Sequence, residues 1–176
     1  GLDNIAQIVA IASGKGGVGK STVAVNLAAA LQHLGFRVGL LDADIYGPSQ
    51  PRMLGSENHH VKVSGKSIFP GQQHGLSFMS LGLLTGDDSP VVWRAPIATR
   101  VIQQFLNNVN WGELDFLLID LPPGTGDIQL TLAQNASLNG AIIVSTPQQV
   151  ALGIAQKGLQ MFQQVNIPIL GMVENM

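Results

Sequence analysis

The run Gly14-Lys15-Gly16-Gly17-Val18-Gly19-Lys20-Ser21-Thr22, near the start of the chain, leaves it few ways to fold. It fits the phosphate-binding pattern G-x-x-x-x-G-K-[ST], with Gly14, Gly19, Lys20 and Ser21 at the fixed places. Ahead of it, Ile8-Val9-Ala10-Ile11-Ala12 is a short apolar run that reads as a buried strand. Behind it, Val23, Leu27, Leu31 and Leu34 recur at helical spacing, and Gly35 supplies the left-handed position at which helices stop. A loop joining a strand to a helix is the context the pattern requires, which argues against an ordinary Gly-rich turn. The glycines let backbone N–H groups turn toward a phosphate without Cβ clashes. The helix N-terminus adds partial positive charge. Lys20 is then expected to reach the β- and γ-phosphates and the Ser21 hydroxyl to ligate Mg²⁺.

Two later strand ends carry acids. Arg37-Val38-Gly39-Leu40-Leu41 reads as a central parallel strand running into Asp42-Ala43-Asp44. Carboxylates at that edge sit where open α/β sheets bind ligands, so they read as Mg²⁺ support and orientation of an attacking water, or as a polar strand end. Phe116-Leu117-Leu118-Ile119-Asp120 is an apolar strand ending in Asp, the Walker B arrangement, whose carboxylate holds the Mg²⁺ shell. Many buried strands end in Asp; the P-loop upstream is what gives this one weight. The stiff turn Leu121-Pro122-Pro123-Gly124-Thr125-Gly126-Asp127 follows. The Gly124 N–H is expected to sense a γ-phosphate, as in a GTPase switch. Asp127, just before Ile128, Leu130 and Leu132, reads as a helix cap in preference to a catalytic group.

The remaining segments complete a pattern. Tyr46 to Pro51 reads as a rigid loop, and Val61-Lys62-Val63 with Ile68-Phe69 as a small surface hairpin. His59 and His60 read as loop histidines. Leu76 to Leu84 is a strand, followed by an Asp87 and Asp88 loop. Pro96 then opens a helix carrying Ile97, Val101, Ile102 and Phe105. Arg94 fits a phosphate or partner contact and a plain surface arginine equally. Ala141 to Ser145 and Ile167 to Val173 are strands, with a helix from Gln149 to Gln164 carrying Val150, Ile154, Leu159 and Phe162 between them. Alternating apolar strands and helices give an α/β fold, a doubly wound, mostly parallel sheet with helices on both faces.

Composition narrows the function. The 176 residues fit one domain spanning 1–176, and 45% hydrophobic content supports a core. Only 11% of residues are charged, so such a chain either hides its backbone well or leaves apolar surface for a partner. Nine basic against eleven acidic residues, a net charge of −2, give no basic field for nucleic acid or an acidic membrane. No apolar run is long enough to span a membrane, and nothing resembles a signal peptide. With no cysteine, these residues form no disulfide and no thiolate metal site. A cytoplasmic location is expected, an organelle matrix being the lesser option. The first residue is Gly1 rather than Met, so removal of an N-terminal segment is also expected.

Lys15 is not required by the general pattern. The form Gly-Lys-Gly-Gly-Val-Gly-Lys-Ser-Thr resembles the deviant P-loop of the MinD, ParA and nitrogenase iron-protein group. In that group the extra lysine reaches across a dimer interface to the partner's nucleotide. With Asp42-Ala-Asp-Ile-Tyr-Gly-Pro-Ser, Val91-Val-Trp-Arg, Ile119-Asp-Leu-Pro-Pro-Gly-Thr-Gly-Asp and Gly171-Met-Val-Glu-Asn-Met, nearly the whole chain is similar to the Mrp/ApbC family. These are ATPases implicated in carrying and delivering iron–sulfur clusters. The resemblance implies a slow Mg-dependent ATPase working as a nucleotide-sandwich homodimer, with recipient apoproteins as partners. It implies phosphate contacts from Gly14, Lys15, Gly16, Gly17, Val18, Gly19, Lys20, Ser21 and Thr22. It implies Asp42 and Asp120 in the outer metal shell, Asp44 positioning water, and Asn175 recognising adenine. The family has Trp-Arg-Gly-Pro where this chain has Trp93-Arg94-Ala95-Pro96. It also follows Glu-Asn-Met with a Cys-x-x-Cys pair, so a cluster is expected only in a longer protein than these residues. The competing readings are a MinD-like membrane-surface regulator, a ParA-like partitioning ATPase, and a nucleotide-binding module without useful turnover.

Overall fold

The computed structural model describes residues 2–44, 62–64, 67–73, 75–80, 100, 103–104 and 106–176. Its strands are β1 (Ile5–Ala12), β2 (Val38–Asp42), β3 (Lys62–Ser64), β4 (Ser67–Phe69), β5 (Gly71–Gln73), β6 (Leu76–Ser80), β7 (Leu114–Asp120), β8 (Gly140–Ser145) and β9 (Ile169–Glu174). Its helices are α1 (Lys20–His33), α2 (Asp127–Asn135), α3 (Pro147–Ala151) and α4 (Ile154–Gln164). The Tyr46 loop, His59 and His60, residues 81–84 of the second apolar run, Asp87, Asp88, Arg94 and the Pro96 helix start lie outside the described residues. Residues 103–104 and 106–108 are helical, consistent with the helix expected there.

Seven strands form one sheet in the order β5-β6-β2-β7-β1-β8-β9, and only the β5–β6 pair is antiparallel. The doubly wound reading therefore holds, with β5 as an unanticipated edge strand. The expected hairpin is present as the antiparallel β3–β4 pair.

Side-chain alternation along the central strands feeds two cores, one on each face. Leu40, Leu118 and Phe78 pack toward α1 with Val9, Ile11 and Val144. Leu41, Leu117, Ile119 and Ile143 pack on the other face with Leu132 of α2 and Phe162 of α4. Chain direction across the sheet reverses at β1: β2 lies beyond β7 on one side and β8 adjoins β1 on the other. In open α/β sheets the crevice at such a switch point is where ligands sit, and the Gly14–Thr22 loop leaves β1 there.

Local structure departs from sequence expectation in three places. The α1 face against the sheet is Lys20, Ala24 and Ala28, with Val23, Leu27 and Leu31 only partly buried and Leu34 72% exposed at the C-cap. Alanines let the helix approach the sheet closely, so the large residues flank the contact. The helix expected over Gln149–Gln164 is two helices, because Gly153 takes φ 75° between α3 and α4 and leaves Val150 and Leu152 exposed. Asp127 is not the cap of α2: Gly126 is, with no side-chain cap bond, and Asp127 lies in the first turn, where its charge complements the helix dipole.

Candidate functional site

At the end of β1 the loop opens into a cleft of about 170 Å³ lined by Ser13, Gly16, Gly17, Val18, Gly19, Lys20, Ser21, Thr22, Asp44 and Pro123. Most of the sequence-nominated phosphate contacts are thus on one wall, with Asp44 and Pro123 among the residues completing it. Gly14 is not part of the lining. Its smallness serves packing, since a Cβ there would come within 2.6 Å of the Ile154 carbonyl oxygen. Lys15 is exposed and is likewise not part of the lining.

The chemistry is concentrated where α1 begins. Lys20 is 6% exposed and Asp120 is 0% exposed. The Lys20 ammonium pairs closely with Asp120 Oδ1, and Ser21 Oγ donates to Asp120 Oδ2 at 2.9 Å. The two P-loop side chains expected at phosphate and metal therefore converge on the Walker B carboxylate, some 100 residues away in sequence. An ammonium has three donors, so Lys20 can hold Asp120 and still offer hydrogens to an anion in the cleft.

Asp42 lies beside Asp120 in register on the neighbouring strand. It is fully buried, accepting from the Asp44 N–H at 3.0 Å and from Ser80 Oγ at 3.4 Å. Asp42 therefore fixes the bend that turns Asp44 into the cleft. No group of three His, Cys, Asp or Glu among the described residues could hold a metal ion alone. One hydroxyl and nearby carboxylates are nevertheless a hard oxygen donor set. That fits Mg²⁺, which is bound by one or two carboxylates together with substrate phosphates and water.

The remaining nominated residues sit against the loop's backbone rather than in the cleft. The Gly124 N–H donates to the Ser13 carbonyl at 2.9 Å, tying the turn after β7 to the start of the P-loop. Gln129 Nε2 holds the same turn by donating to the Pro123 carbonyl at 2.7 Å. Asn175 Nδ2 donates to the Val18 carbonyl at 3.0 Å, and the Asn175 N–H to the Ser145 carbonyl at 2.9 Å. Asn175 thus braces the phosphate loop from the end of β9. Sequence reasoning missed Ser13 and Gln129; the available signal was a lone hydroxyl between an apolar strand and Gly14.

Known proteins are similar to this chain in sequence and in fold. The family profile described as ParA, NUBPL iron-transfer P-loop NTPase, matches residues 4–176. The chain is 53% identical over 177 residues to an iron–sulfur cluster carrier protein of Aquifex aeolicus (strain VF5), covering 99% of this chain and 49% of that protein. It is likewise 53% identical to the protein of the same description from Escherichia coli (strain K12), covering 100% of this chain and 48% of that one. The chain therefore spans about half the length of the curated relatives it matches. Among solved structures, a nucleotide-binding protein in complex with ADP from Archaeoglobus fulgidus superposes with a TM-score of 0.86 at 44% identity, covering 98% of this chain and 68% of that one. The septum site-determining protein MinD complexed with Mg-ADP from Pyrococcus horikoshii OT3 gives a TM-score of 0.66 at 24% identity, covering 96% and 69%, a likeness of fold alone.

Proposed function

The chain belongs to the ParA, NUBPL iron-transfer P-loop NTPase family, and from that membership we propose that it is the ATP-binding, slowly hydrolysing module of an iron–sulfur cluster carrier that works as a homodimer. The observation that carries this reading is the convergence of Lys20, Ser21 and Asp120 at the cleft. The loop N–H groups from Gly16 to Thr22 cradle the phosphates, and Lys20 bonds the β- and γ-oxygens. Ser21 would hold Mg²⁺, with Asp42 and Asp120 in its outer shell through water. The ion would supply neutralisation of phosphate charge there. Asp44 orients the attacking water. Lys15 reaches the partner copy's nucleotide, and Asn175 and Gly124 serve the base and the γ-phosphate. The cluster is cargo delivered to recipient apoproteins. Its thiolate ligands come from outside these residues, which contain no cysteine. A cytoplasmic setting is part of the same proposal. Among the described residues no helix is long and apolar enough to cross a membrane.

Phosphate release from Mg-ATP tests the assignment. Lys15→Ala is expected to keep ATP affinity and lose most hydrolysis, because its contact is to charge developing in the transition state. Asp44→Asn is expected to slow hydrolysis with affinity unchanged. Parental turnover by Lys15→Ala would remove the lysine acting in trans, and collapsed affinity in Asp44→Asn would make Asp44 a binding residue.

A further inference from the structure

Ser13 stands outside the P-loop pattern, yet it is one of the most unusual polar groups among the described residues. It is 2% exposed, and its Oγ is buried with no hydrogen-bond partner. A hydroxyl offers one donor and two acceptor sites, and burying it unpaired opposes folding. Val9 and Ile11, which precede it at strand alternation, are buried with no polar atom to satisfy. Folding therefore gives no reason for the hydroxyl.

The cleft does. Ser13 is on its wall with Lys20, Asp44 and Pro123. Its own carbonyl accepts the Gly124 N–H, the bond by which the turn after β7 is tied to this point. With the inner phosphates held by the loop N–H groups, the next phosphate outward meets the side formed by Asp44, Pro123 and Ser13. We propose that Ser13 is a further nucleotide-contacting residue, one that distinguishes a nucleoside triphosphate from a diphosphate. This rests on the cleft being a nucleotide site. The terminal phosphate supplies acceptor oxygens for both the Ser13 O–H and the Gly124 N–H. The Oγ is shielded from bulk water, and for both groups to serve one phosphate the Gly124 N–H leaves the Ser13 carbonyl, to which it donates in this structure. One residue thereby couples the terminal phosphate to the position of the turn.

The test measures binding of ADP and of the non-hydrolysable β,γ-imido analogue of ATP to the parent and to Ser13→Ala, with a thermal melt of each. Ser13→Ala is expected to melt at or above the parent and to bind ADP within about twofold of it. It should bind the imido analogue about tenfold more weakly, the loss of one charge-assisted hydrogen bond. Ser13→Cys, which puts a somewhat larger and weaker donor in the same place, should show the same selective loss and carries the test if the alanine variant does not fold. An unchanged preference between the two nucleotides overturns the proposal, as does equal weakening of both or a lowered melting temperature, each of which marks a structural hydroxyl. A parent that binds neither nucleotide overturns the cleft reading itself, a result distinct from these.

Discussion

Strand β7 carries a carboxylate near each end, and the two are paired in opposite surroundings. Near its first residue, Asp115 accepts the Arg37 N–H at 2.7 Å and the Arg37 guanidinium at 3.3 Å, and Glu113 accepts a further Arg37 bond at 3.0 Å. These groups are open to solvent. At its last residue Asp120 holds Lys20 and Ser21 out of water. The exposed cluster shifts proton affinities: the Arg37 N–H and then its side chain hold the Asp115 carboxyl below its ordinary range, and Asp115 and then Glu113 keep Arg37 charged. Exposed ion pairs of this kind add little to stability. The buried pair gains more Coulomb energy but must offset the desolvation of two charges, so its presence is weak evidence that folding needs it. The contrast teaches where charge serves the fold's surface and where it is kept for a ligand.

The largest expected effect breaks the buried pair. Lys20→Met leaves Asp120 without its countercharge, and chemical denaturation should show a loss of about 3–5 kcal/mol. Replacing both partners, Lys20→Met with Asp120→Leu, should restore stability to near the parent value, because apolar groups of similar volume fill the site without desolvation cost. A double variant as unstable as the single one would mean that the pair holds the fold together, and the contrast with Arg37 would fail.

The smallest expected effect lies at the other end of β7. Asp115→Asn should change stability only slightly at neutral pH, and less in high salt. Its pH dependence has a definite sign. The folded carboxyl titrates below its ordinary value of 3.8, so its contribution is present above that value and is lost as pH falls through the lower folded one. The stability difference between parent and Asp115→Asn should therefore shrink on acidification below about pH 4. A difference that grows in acid would reverse the assignment.

Much of this architecture is legible in the sequence because it rests on local patterns. Apolar runs of strand length mark β1, β2, β7 and β8, and the glycine–lysine loop marks the switch point. What escapes local pattern is set by partners far along the chain. The spacing of Val150 and Ile154 continues across Gly153, so periodicity cannot see the break between α3 and α4. The α1 contact is made by Ala24 and Ala28, which a search for large apolar residues passes over. The pairing of Lys20 with Asp120 and the seat of Asn175 on Val18 join residues more than 90 positions apart. The motifs nominate these residues but do not say that they touch.

The most direct test of the central claim, that the buried pair is kept for a nucleotide, is calorimetric titration of Mg-ATP into the parent and into the Lys20→Met/Asp120→Leu variant. The parent is expected to bind, and the double variant, folded and of near-parental stability, is expected to show no measurable binding. Mg-ATP bound by the folded double variant as tightly as by the parent would contradict the account.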